Sequence, residues 1–351
     1  MALQGVLEYM RTSAMMMNIR DNLGVYAEIA GRPRVSLTPL PTPLEHARSM
    51  STRLGRRILV KRDDVMSLAL GGNKVRKLEF LLGDAKNMKA DTIITTGAQH
   101  SNHARLTAAA AVKMGLNPVL VLRGKPSPPK GNLLLDRLLD ADIRFTEEQP
   151  DAAVNNVAEE LRAKGHTPYV IPGGGANAVG TLGYVNAARE ILAQARHDGL
   201  RIDYVVHATG TGPTQAGLII GFHILNSKVK VLGVSNGPDE ATGKQLVRHL
   251  IDDTIKLLGV KLSIPDEEII IYDDYTCGGY GVITQEVVDA MMLAARTEGL
   301  ILDPVYTGKA MVGVKGLIEK KIIHENSNTV FLHTGGSPIT FQYDSEVSRY
   351  F

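Results

Sequence analysis

Short apolar runs typical of β-strands alternate with helix-length amphipathic stretches along most of the chain, and this alternation is the strongest constraint on its fold. The stretches between the runs have the apolar spacing of a helix, about 3.6 residues. Short apolar strands alternating with helices predict parallel sheets that are covered by helices on both faces. The predicted class is therefore α/β. The predicted strands are Arg57–Arg62, Thr92–Thr96, Pro118–Leu122, Asp142–Thr146, Pro168–Ile171, Tyr204–Ala208, Lys230–Val234, Ile269–Tyr272 and Thr329–His333. The helical stretches include Lys77–Lys86, Ala104–Met114, Val154–Lys164 and Gly217–Leu225.

The segment from Ile171 to Ala178 interrupts this pattern, since it reads Ile-Pro-Gly-Gly-Gly-Ala-Asn-Ala. Three consecutive glycines give it neither strand nor helix character. It is either a crossover between two sheets or a loop, and we favour the crossover. A chain of 351 residues is long enough for about two domains.

The composition argues against several classes of function. With 39 basic and 37 acidic residues the net charge is +2, which provides neither a basic field for nucleic acid nor a signal for a membrane surface. The longest apolar stretches, such as Ala108 to Val112, are far shorter than the ~20 residues of a membrane span. The single cysteine, Cys277, cannot form an internal disulfide, which favours a reducing compartment. We expect a cytoplasmic protein.

The N-terminal segment up to Gly24 has no apolar signal-peptide core. Its acidic residues Glu8 and Asp21 also argue against a transit peptide. We interpret this segment as a helical lead-in or a partly ordered extension.

A first group of candidate functional residues is the run Gly71-Gly-Asn-Lys-Val-Arg-Lys-Leu-Glu79. Glycines before the start of a helix let the backbone approach a ligand closely. Cations are unfavourable at a helix N-terminus, so Lys74 and Lys77 suggest an anion that offsets this cost. A solvated basic helix face is the alternative interpretation. The two lysines lie three residues apart on one face, so one could bond covalently to a cofactor while the other pairs with its phosphate.

A second group, Gly97-Ala-Gln-His-Ser-Asn-His103, lies between a predicted strand and an alanine-rich helix. Ser101 or Asn102 is placed to cap that helix. Such a dense polar set at a strand end favours a ligand site over capping alone. A zinc site is disfavoured because no cysteine or acidic residue accompanies His100 and His103 at metal-ligand spacing. We expect no metal.

A third group, Thr209-Gly-Thr-Gly-Pro-Thr214, lies between another predicted strand and a helix. Its backbone N–H groups and threonine hydroxyls can point at a phosphate, with the helix dipole behind them. The run lacks the lysine of a nucleotide P-loop and does not fit the dinucleotide fingerprint. A tight turn between strand and helix is the alternative.

Three weaker motifs lie in the C-terminal third: Tyr280-Gly-Val, Asp303-Pro-Val-Tyr-Thr-Gly-Lys309 and His333-Thr-Gly-Gly-Ser337. Alone, each says little, because a tyrosine in a loop is more often a packed side chain than an acid or a base.

Together, and in this order from about Arg34 to Tyr343, the motifs resemble those of the D-cysteine desulfhydrase and 1-aminocyclopropane-1-carboxylate deaminase family. This family belongs to the tryptophan-synthase-β-like, fold type II pyridoxal-phosphate enzymes. The resemblance implies two open, twisted parallel sheets with helices on both faces, pyridoxal 5′-phosphate as cofactor, a small amino acid as substrate, and a homodimer. It also implies a large cofactor-binding domain of residues 1–76 and 173–351, and a small inserted α/β domain of residues 77–172.

The resemblance further implies a role for each motif residue. Lys74 would hold the cofactor as a Schiff base, Lys77 would contact its phosphate, and Asn102 would bond its phenolic oxygen. The remaining cofactor contacts would be Asn73, Thr209, Gly210, Thr211, Gly212, Thr214 and Thr334. The substrate would be bound by Gln99, His100, Ser101, His103, Tyr280, Tyr306 and Thr307, and the catalytic residues would be Lys74, Ser101, Tyr280 and Tyr306.

Two positions separate this chain from the cyclopropane deaminases, which carry Glu and Leu where it has Thr307 and Thr334. A carboxylate at the pyridine nitrogen keeps that nitrogen protonated and strengthens the electron sink, whereas a hydroxyl does not. Threonines therefore suit β-elimination, in which a good leaving group departs, better than the opening of an unactivated ring. We expect β-elimination from D-cysteine or a close analogue, giving pyruvate, ammonia and hydrogen sulfide.

Other functions stay open. His100 stands where relatives that process cysteine or cysteate often have Gln, which leaves the substrate open. An L-cysteate sulfo-lyase is one alternative. A 1-aminocyclopropane-1-carboxylate deaminase is another. An amino-acid racemase or a serine/threonine deaminase would use the same fold, and a non-enzymatic module could bind a phosphate ligand with the same loops.

Overall fold

The computed structural model describes residues 24–351, so the predicted N-terminal lead-in or extension lies outside the described residues. The described chain forms a six-stranded sheet, in the order β1-β2-β10-β7-β8-β9, and a four-stranded sheet, in the order β5-β4-β3-β6. The strands are β1 (Leu44–His46), β2 (Arg57–Arg62), β3 (Thr92–Ala98), β4 (Asn117–Arg123), β5 (Asp142–Thr146), β6 (Pro168–Ile171), β7 (Tyr204–Thr209), β8 (Lys230–Ser235), β9 (Ile270–Tyr272) and β10 (Asn328–His333).

All nine predicted strands are confirmed, with ends that differ by no more than two residues. The expectation of parallel sheets is wrong at one edge, where β1 pairs antiparallel with β2 and Leu44 faces Lys61. The three-residue β1 has a single apolar residue, so no apolar run marks it in the sequence. The remaining pairings are parallel.

Helices cover the sheets, and the four that the sequence predicted begin two to four residues earlier than their apolar spacing indicates. Their first turns consist largely of polar or small residues, which the apolar pattern does not register. No helix within residues 24–351 is long and apolar enough to cross a membrane. The helices are α1 (described over 24–31), α2 (Arg48–Leu54), α3 (Lys74–Asn87), α4 (Asn102–Lys113), α5 (Gly131–Leu138), α6 (Pro150–Ala163), α7 (Ala178–His197), α8 (Pro213–Ile224), α9 (Glu240–Leu258), α10 (Gln285–Glu298), α11 (Thr307–Glu319), α12 (Ser337–Gln342) and α13 (Asp344–Val347).

The glycine-rich segment carries the chain from the four-stranded sheet towards the six-stranded sheet. After β6 it forms a short 3₁₀ turn, Gly173–Gly175, and the Asn177 side chain then caps α7 by accepting from the Gly180 N–H at 2.9 Å. Since α7 leads into β7 of the larger sheet, the predicted crossover is confirmed. The predicted domain boundary at residues 76 and 77 falls inside α3, the helix that connects β2 of one sheet to β3 of the other.

Helices α3, α7 and α8 pack closely because glycines lie where they meet. A Cβ atom on Gly183 of α7 would lie 2.4 Å from the carbonyl oxygen of Arg76 on α3. A Cβ atom on Gly217 of α8 would lie 2.6 Å from the carbonyl oxygen of Thr181. These approaches fix the start of α3 relative to the larger sheet.

A buried ionic network reinforces this position. The Arg76 guanidinium pairs with Asp63, which follows β2, and with Glu190 on α7, both at 2.8 Å. Lys61 on β2 pairs with the same Glu190 carboxylate, and the Tyr184 hydroxyl donates to Asp63. Two cations therefore meet two carboxylates, and α3 is tied to both β2 and α7.

This network predicts an acid-sensitive contribution to stability. Burial opposes the ionisation of Glu190, but hydrogen bonds and charge from Arg76 and Lys61 outweigh it and lower its pKa to about 2. Because an unfolded Glu has a pKa of about 4.3, the stabilisation is present above that pH and is lost as the pH falls towards about 2. We expect Glu190→Gln to lower the free energy of unfolding by about 3 kcal/mol at pH 7, and by about half as much at pH 3.

Urea unfolding of the holoenzyme at the two pH values measures this difference. The exposed Glu159 on α6 supplies the control, since Glu159→Gln is expected to change the free energy of unfolding by less than about 0.5 kcal/mol at either pH. A loss for Glu190→Gln that is as large at pH 3 as at pH 7 would contradict the prediction.

Candidate active site

Three loops meet at the first turn of α3. The Asn73 N–H donates to the carbonyl oxygen of Thr334, which follows β10, at 3.0 Å. The Asn73 side chain donates to the Thr214 hydroxyl, in the first turn of α8, at 3.2 Å. The Lys77 Nζ donates to the carbonyl oxygen of Gly174, in the crossover segment, at 3.4 Å. The first and third predicted motifs and the crossover glycines thus lie together.

Glycine is required where the loop before α3 meets the loop after β10. Gly72 has a φ of 124° and Gly335 a φ of 85°, a region that favours glycine. A Cβ atom on Gly335 would lie 2.7 Å from the Gly72 Cα. This close approach brings Thr334 beside Asn73.

Lys74 and Lys77 concentrate positive charge in this pocket. Burial lowers the pKa of Lys74 to about 8, although a hydrogen bond with Lys77 acts in the opposite direction. Burial, followed by the charge of Lys74, lowers the pKa of Lys77 well below its usual value. Within the described part of the chain no carboxylate forms an ion pair with either lysine, and the Lys74 Nζ donates to the Asn73 Oδ1 at 3.3 Å. No acidic side chain of residues 24–351 would therefore compete with a phosphate for these two lysines.

The loop after β7 presents a helix N-terminus to the same pocket. Gly212, with a φ of 90°, is the N-cap of α8, and no side chain caps the helix there. Uncapped N–H groups and the helix dipole favour an anion at this position. Thr211 from this loop lies against Gly174, where a Cβ atom would be 2.3 Å from the Thr211 hydroxyl. The arrangement of loop, lysines and glycines fits a phosphate group.

The second motif lies at the start of α4. The Ser101 Oγ accepts from the Ala104 N–H at 3.1 Å and so caps the helix. Its hydroxyl proton remains available to donate, so capping and binding a substrate carboxylate are compatible. The Asn102 Oδ1 accepts a hydrogen bond from Asn132 on α5 at 2.9 Å.

Four ring side chains form what we call the aromatic wall: His100, Tyr280, Tyr306 and Tyr343. The Tyr280 and Tyr306 hydroxyls are 2.7 Å apart. The His100 ring stacks on Tyr280, with 5.9 Å between ring centroids, and meets the edge of Tyr343 at 5.5 Å. Burial lowers the pKa of His100 and raises the pKa values of all three tyrosines, so the wall is uncharged at neutral pH.

Gln99 and His103, for which the resemblance implied substrate binding, both form hydrogen bonds to other parts of the fold. The Gln99 amide points to the loop after β4, where it donates to the Lys125 carbonyl at 2.7 Å and accepts from Ser127. His103 is buried within α4 and bonds the Thr95 hydroxyl through Nε2 at 2.9 Å. Both side chains are engaged in holding the scaffold.

The Thr307 hydroxyl is likewise engaged within the protein. Its hydroxyl donates to the Asp303 Oδ2 at 2.8 Å and accepts from the Asp303 N–H at 2.8 Å. Asp303 accepts further bonds from the N–H groups of Val305, Tyr306 and Thr307. Both residues are buried, so Thr307 acts by holding Asp303 and the first turn of α11.

Sequence reasoning missed Tyr343 and Asn132. Tyr343 lies 243 residues from His100 in the chain, and no motif marks it. Asn132 carried a weak signal, because it is a polar residue among the leucines of the amphipathic helix α5. Its partner Asn102 is 30 residues away.

Residues 35–335 match the model of the family described as "Pyridoxal-phosphate dependent enzyme". The chain belongs to this family. Its cofactor is pyridoxal phosphate, as the resemblance implied. Two proteins named "Putative 1-aminocyclopropane-1-carboxylate deaminase" are among its relatives. The one from Pyrococcus abyssi is 44% identical over 319 residues, covering 90% of this chain and 95% of the relative, and the one from Pyrococcus furiosus is 45% identical over 320 residues with the same coverage.

Solved structures agree with the fold. A structure described as that of "the ACC deaminase homologue" has a TM-score of 0.87 and 42% identity, and the match covers 93% of this chain and 99% of that chain. A threonine deaminase isoform 2 from Solanum lycopersicum has a TM-score of 0.66 at 20% identity, covering 94% and 88%. The predicted fold type II architecture and the predicted family are confirmed.

The site predicts that Lys77 contributes to cofactor binding. Lys77→Met removes a buried cation while keeping the length of the apolar stem, and we expect it to raise the dissociation constant of pyridoxal phosphate about ten- to a hundredfold. Titration of the cofactor-stripped enzyme with pyridoxal phosphate, followed by its visible absorbance, measures this constant. Lys86→Met, at the exposed end of the same helix, is the control. If the wild type, Lys77→Met and Lys86→Met bind pyridoxal phosphate with equal affinity, Lys77 does not contact the phosphate.

Proposed function

We propose that this enzyme catalyses the β-elimination of D-cysteine, or a close analogue, to pyruvate, ammonia and hydrogen sulfide. The observation that carries the proposal is the Lys74 amine. It lies at the first turn of α3 with a pKa lowered to about 8, in the pocket formed with the loop after β7. We also propose a cytoplasmic homodimer, with a large domain of residues 1–76 and 173–351 and a small domain of residues 77–172.

When bound, pyridoxal phosphate supplies an electron sink that stabilises negative charge at the α-carbon of the substrate. We assign Lys74 to hold it covalently, and Lys77 and the 209–214 loop to bind its phosphate. Asn73 and Thr334, which are joined by a backbone hydrogen bond, line the same pocket. Asn102 is assigned to its phenolic oxygen.

Lys74 is also the proposed base that removes the α-proton. Its lowered pKa leaves a much larger neutral fraction at neutral pH than an ordinary lysine has. Burial raises the pKa values of Tyr280 and Tyr306, so both hydroxyls keep their protons at neutral pH. They are therefore proposed as hydrogen-bond and proton donors on the substrate side.

Ser101 is proposed to bind the substrate carboxylate. Its hydroxyl lies at the N-terminus of α4, where the helix dipole favours a negative charge. The neutral aromatic wall then faces the β-substituent. Gln99, His103 and Thr307 are left out of this assignment because the Gln99 amide, the His103 Nε2 and the Thr307 hydroxyl bond elsewhere.

The surroundings of Thr307 support β-elimination over ring opening. Where the cyclopropane deaminases have a glutamate, the Thr307 hydroxyl is bonded to Asp303. The Asp303 carboxylate accepts four hydrogen bonds within its own loop and helix start, so it is not free to bond a ring nitrogen. A less strongly protonated cofactor suits a substrate that has a good leaving group.

The second candidate is 1-aminocyclopropane-1-carboxylate deaminase. The names of the Pyrococcus relatives, at 44% and 45% identity, favour it. It needs the same Lys74 and the same phosphate loop, so only a comparison of substrates separates the two candidates.

The substrate prediction is tested by a side-by-side panel of D-cysteine, L-cysteine, D-serine, L-cysteate and 1-aminocyclopropane-1-carboxylate. We expect pyruvate and sulfide to form fastest from D-cysteine. Lys74→Ala is expected to lower turnover at least about a thousandfold and to abolish the borohydride-stable adduct in the mass spectrum. Lys86→Ala is the control and should behave as wild type.

Other products in this panel would each indicate a different activity. The release of 2-oxobutanoate from the cyclopropane acid would establish the second candidate, and pyruvate from L-cysteate alone would indicate a sulfo-lyase. Loss of chirality without a keto acid would indicate a racemase. Turnover unchanged in Lys74→Ala would overturn the proposal as a whole.

The paired tyrosines give a further prediction. Because their hydroxyls share a 2.7 Å hydrogen bond, Tyr280→Phe and Tyr306→Phe are each expected to lower kcat about a hundredfold, while the visible absorbance of the bound cofactor stays the same. Tyr350→Phe, which loses only a bond to the Ile283 carbonyl, is the control. If both wall variants keep kcat within about twofold of wild type, proton donation from this pair is excluded.

A further inference from the structure

Asn132 is a fully buried asparagine near the start of α5, close to the second motif. It follows Gly131, which has a φ of 50° and would place a Cβ atom 2.8 Å from the carbonyl oxygen of Pro338. The start of α5 is therefore packed tightly against α12. This packing leaves Asn132 no exposed surface.

The two protons of the Asn132 amide have two partners. One N–H bond goes to the backbone carbonyl oxygen of His100 at 2.7 Å, and the other goes to the Asn102 Oδ1 at 2.9 Å. The Asn132 Oδ1 is buried and has no partner among the described residues.

These contacts determine which way both amides point. A backbone carbonyl can only accept, so the Asn132 atom that faces His100 has to be the nitrogen. The Asn102 atom that faces this nitrogen then has to be its oxygen. The Asn102 nitrogen is left on the opposite side, where it donates to no described residue.

We propose that Asn132 is a positioning residue that fixes the Asn102 amide so that its N–H group, and not its oxygen, faces the cofactor. The inference rests on the proposed contact between Asn102 and the phenolic oxygen. An oxygen turned towards that negatively charged oxygen would repel it, so the orientation decides the sign of the interaction.

The packing of Asn132 supports a role beyond stability. Its neighbour Leu133 belongs to an apolar cluster with Ala104, Ala108 and Leu120, and an apolar residue at 132 would avoid the unpartnered Asn132 Oδ1. Buried oxygens without partners are rare because they lose their hydrogen bonds to water. The two donated bonds, one of them to a motif residue, account for an asparagine at this place.

The proposal is tested by the pH dependence of the visible absorbance of the bound cofactor. A donor at the phenolic oxygen withdraws negative charge from it, so the neighbouring carbon–nitrogen double bond at Lys74 holds its proton less tightly. Loss of the donor is therefore expected to move the pH midpoint of the visible absorbance band upward. We expect a shift of about one pH unit in Asn102→Ala, and a shift in the same direction in Asn132→Ala.

A double variant distinguishes a positioning role of Asn132 from a general destabilisation of α5. If Asn132 acts through Asn102, the midpoint of Asn102→Ala/Asn132→Ala equals that of Asn102→Ala alone. Leu133→Ala is the control, since it opens a cavity in the same helix, lowers the melting temperature and leaves the midpoint unchanged. Asp136, one turn further along α5, has a pKa that burial raises to about 7 against the opposing charge of Arg105. It is present in every variant, so differences between variants report on the two asparagines.

Each outcome is decisive. An unchanged midpoint in Asn102→Ala overturns the proposed cofactor contact itself. If the midpoint shifts in Asn102→Ala but not in Asn132→Ala, the contact between Asn102 and the cofactor is supported and the positioning role of Asn132 is overturned. Additive shifts in the double variant, or an equal shift in Leu133→Ala, also overturn the positioning role.

Discussion

The position of α3 is the constraint on which the site depends, and the ion pairs of Arg76 hold it. Lys74, Arg76 and Lys77 place three cations within the first turn of a helix, where the dipole disfavours positive charge. Arg76 points towards Asp63 and Glu190, so its charge is neutralised away from the pocket. The two lysines remain to set the potential of the pocket.

The sequence could predict the features that depend on local patterns, but not those that depend on distant neighbours. Strands and helices follow from apolar spacing, which is local, so the predicted strands are confirmed and β1, with Leu44 as its single apolar residue, is not among them. The Gly- and Thr-rich loops follow from their position at strand ends. The directions in which side chains point cannot be predicted in this way, because they depend on neighbours from other parts of the chain. Gln99 and His103 stand inside the motif, yet they turn to the loop after β4 and to Thr95.

The aromatic wall shows how the two sheets share one site. His100 follows β3 of the smaller sheet, whereas Tyr280, Tyr306 and Tyr343 come from segments that flank the strands of the larger sheet. No local pattern could have placed Tyr343 beside His100, since the contact forms only when the C-terminal segment folds back. Burial lowers the pKa of His100 and raises those of the three tyrosines, so residues from both parts of the chain build one uncharged surface.

Two buried histidines complete the electrostatic arrangement. Burial lowers the pKa of His207 on β7 to about 4, and the charges of Lys77 and Lys74 act in the same direction. His103 is affected by the same lysines and is likewise neutral. A protonated histidine at either position would add a further positive charge beside the two lysines. Because both histidines stay neutral, they add no positive charge beside Lys74 and Lys77, whose pKa values burial already lowers.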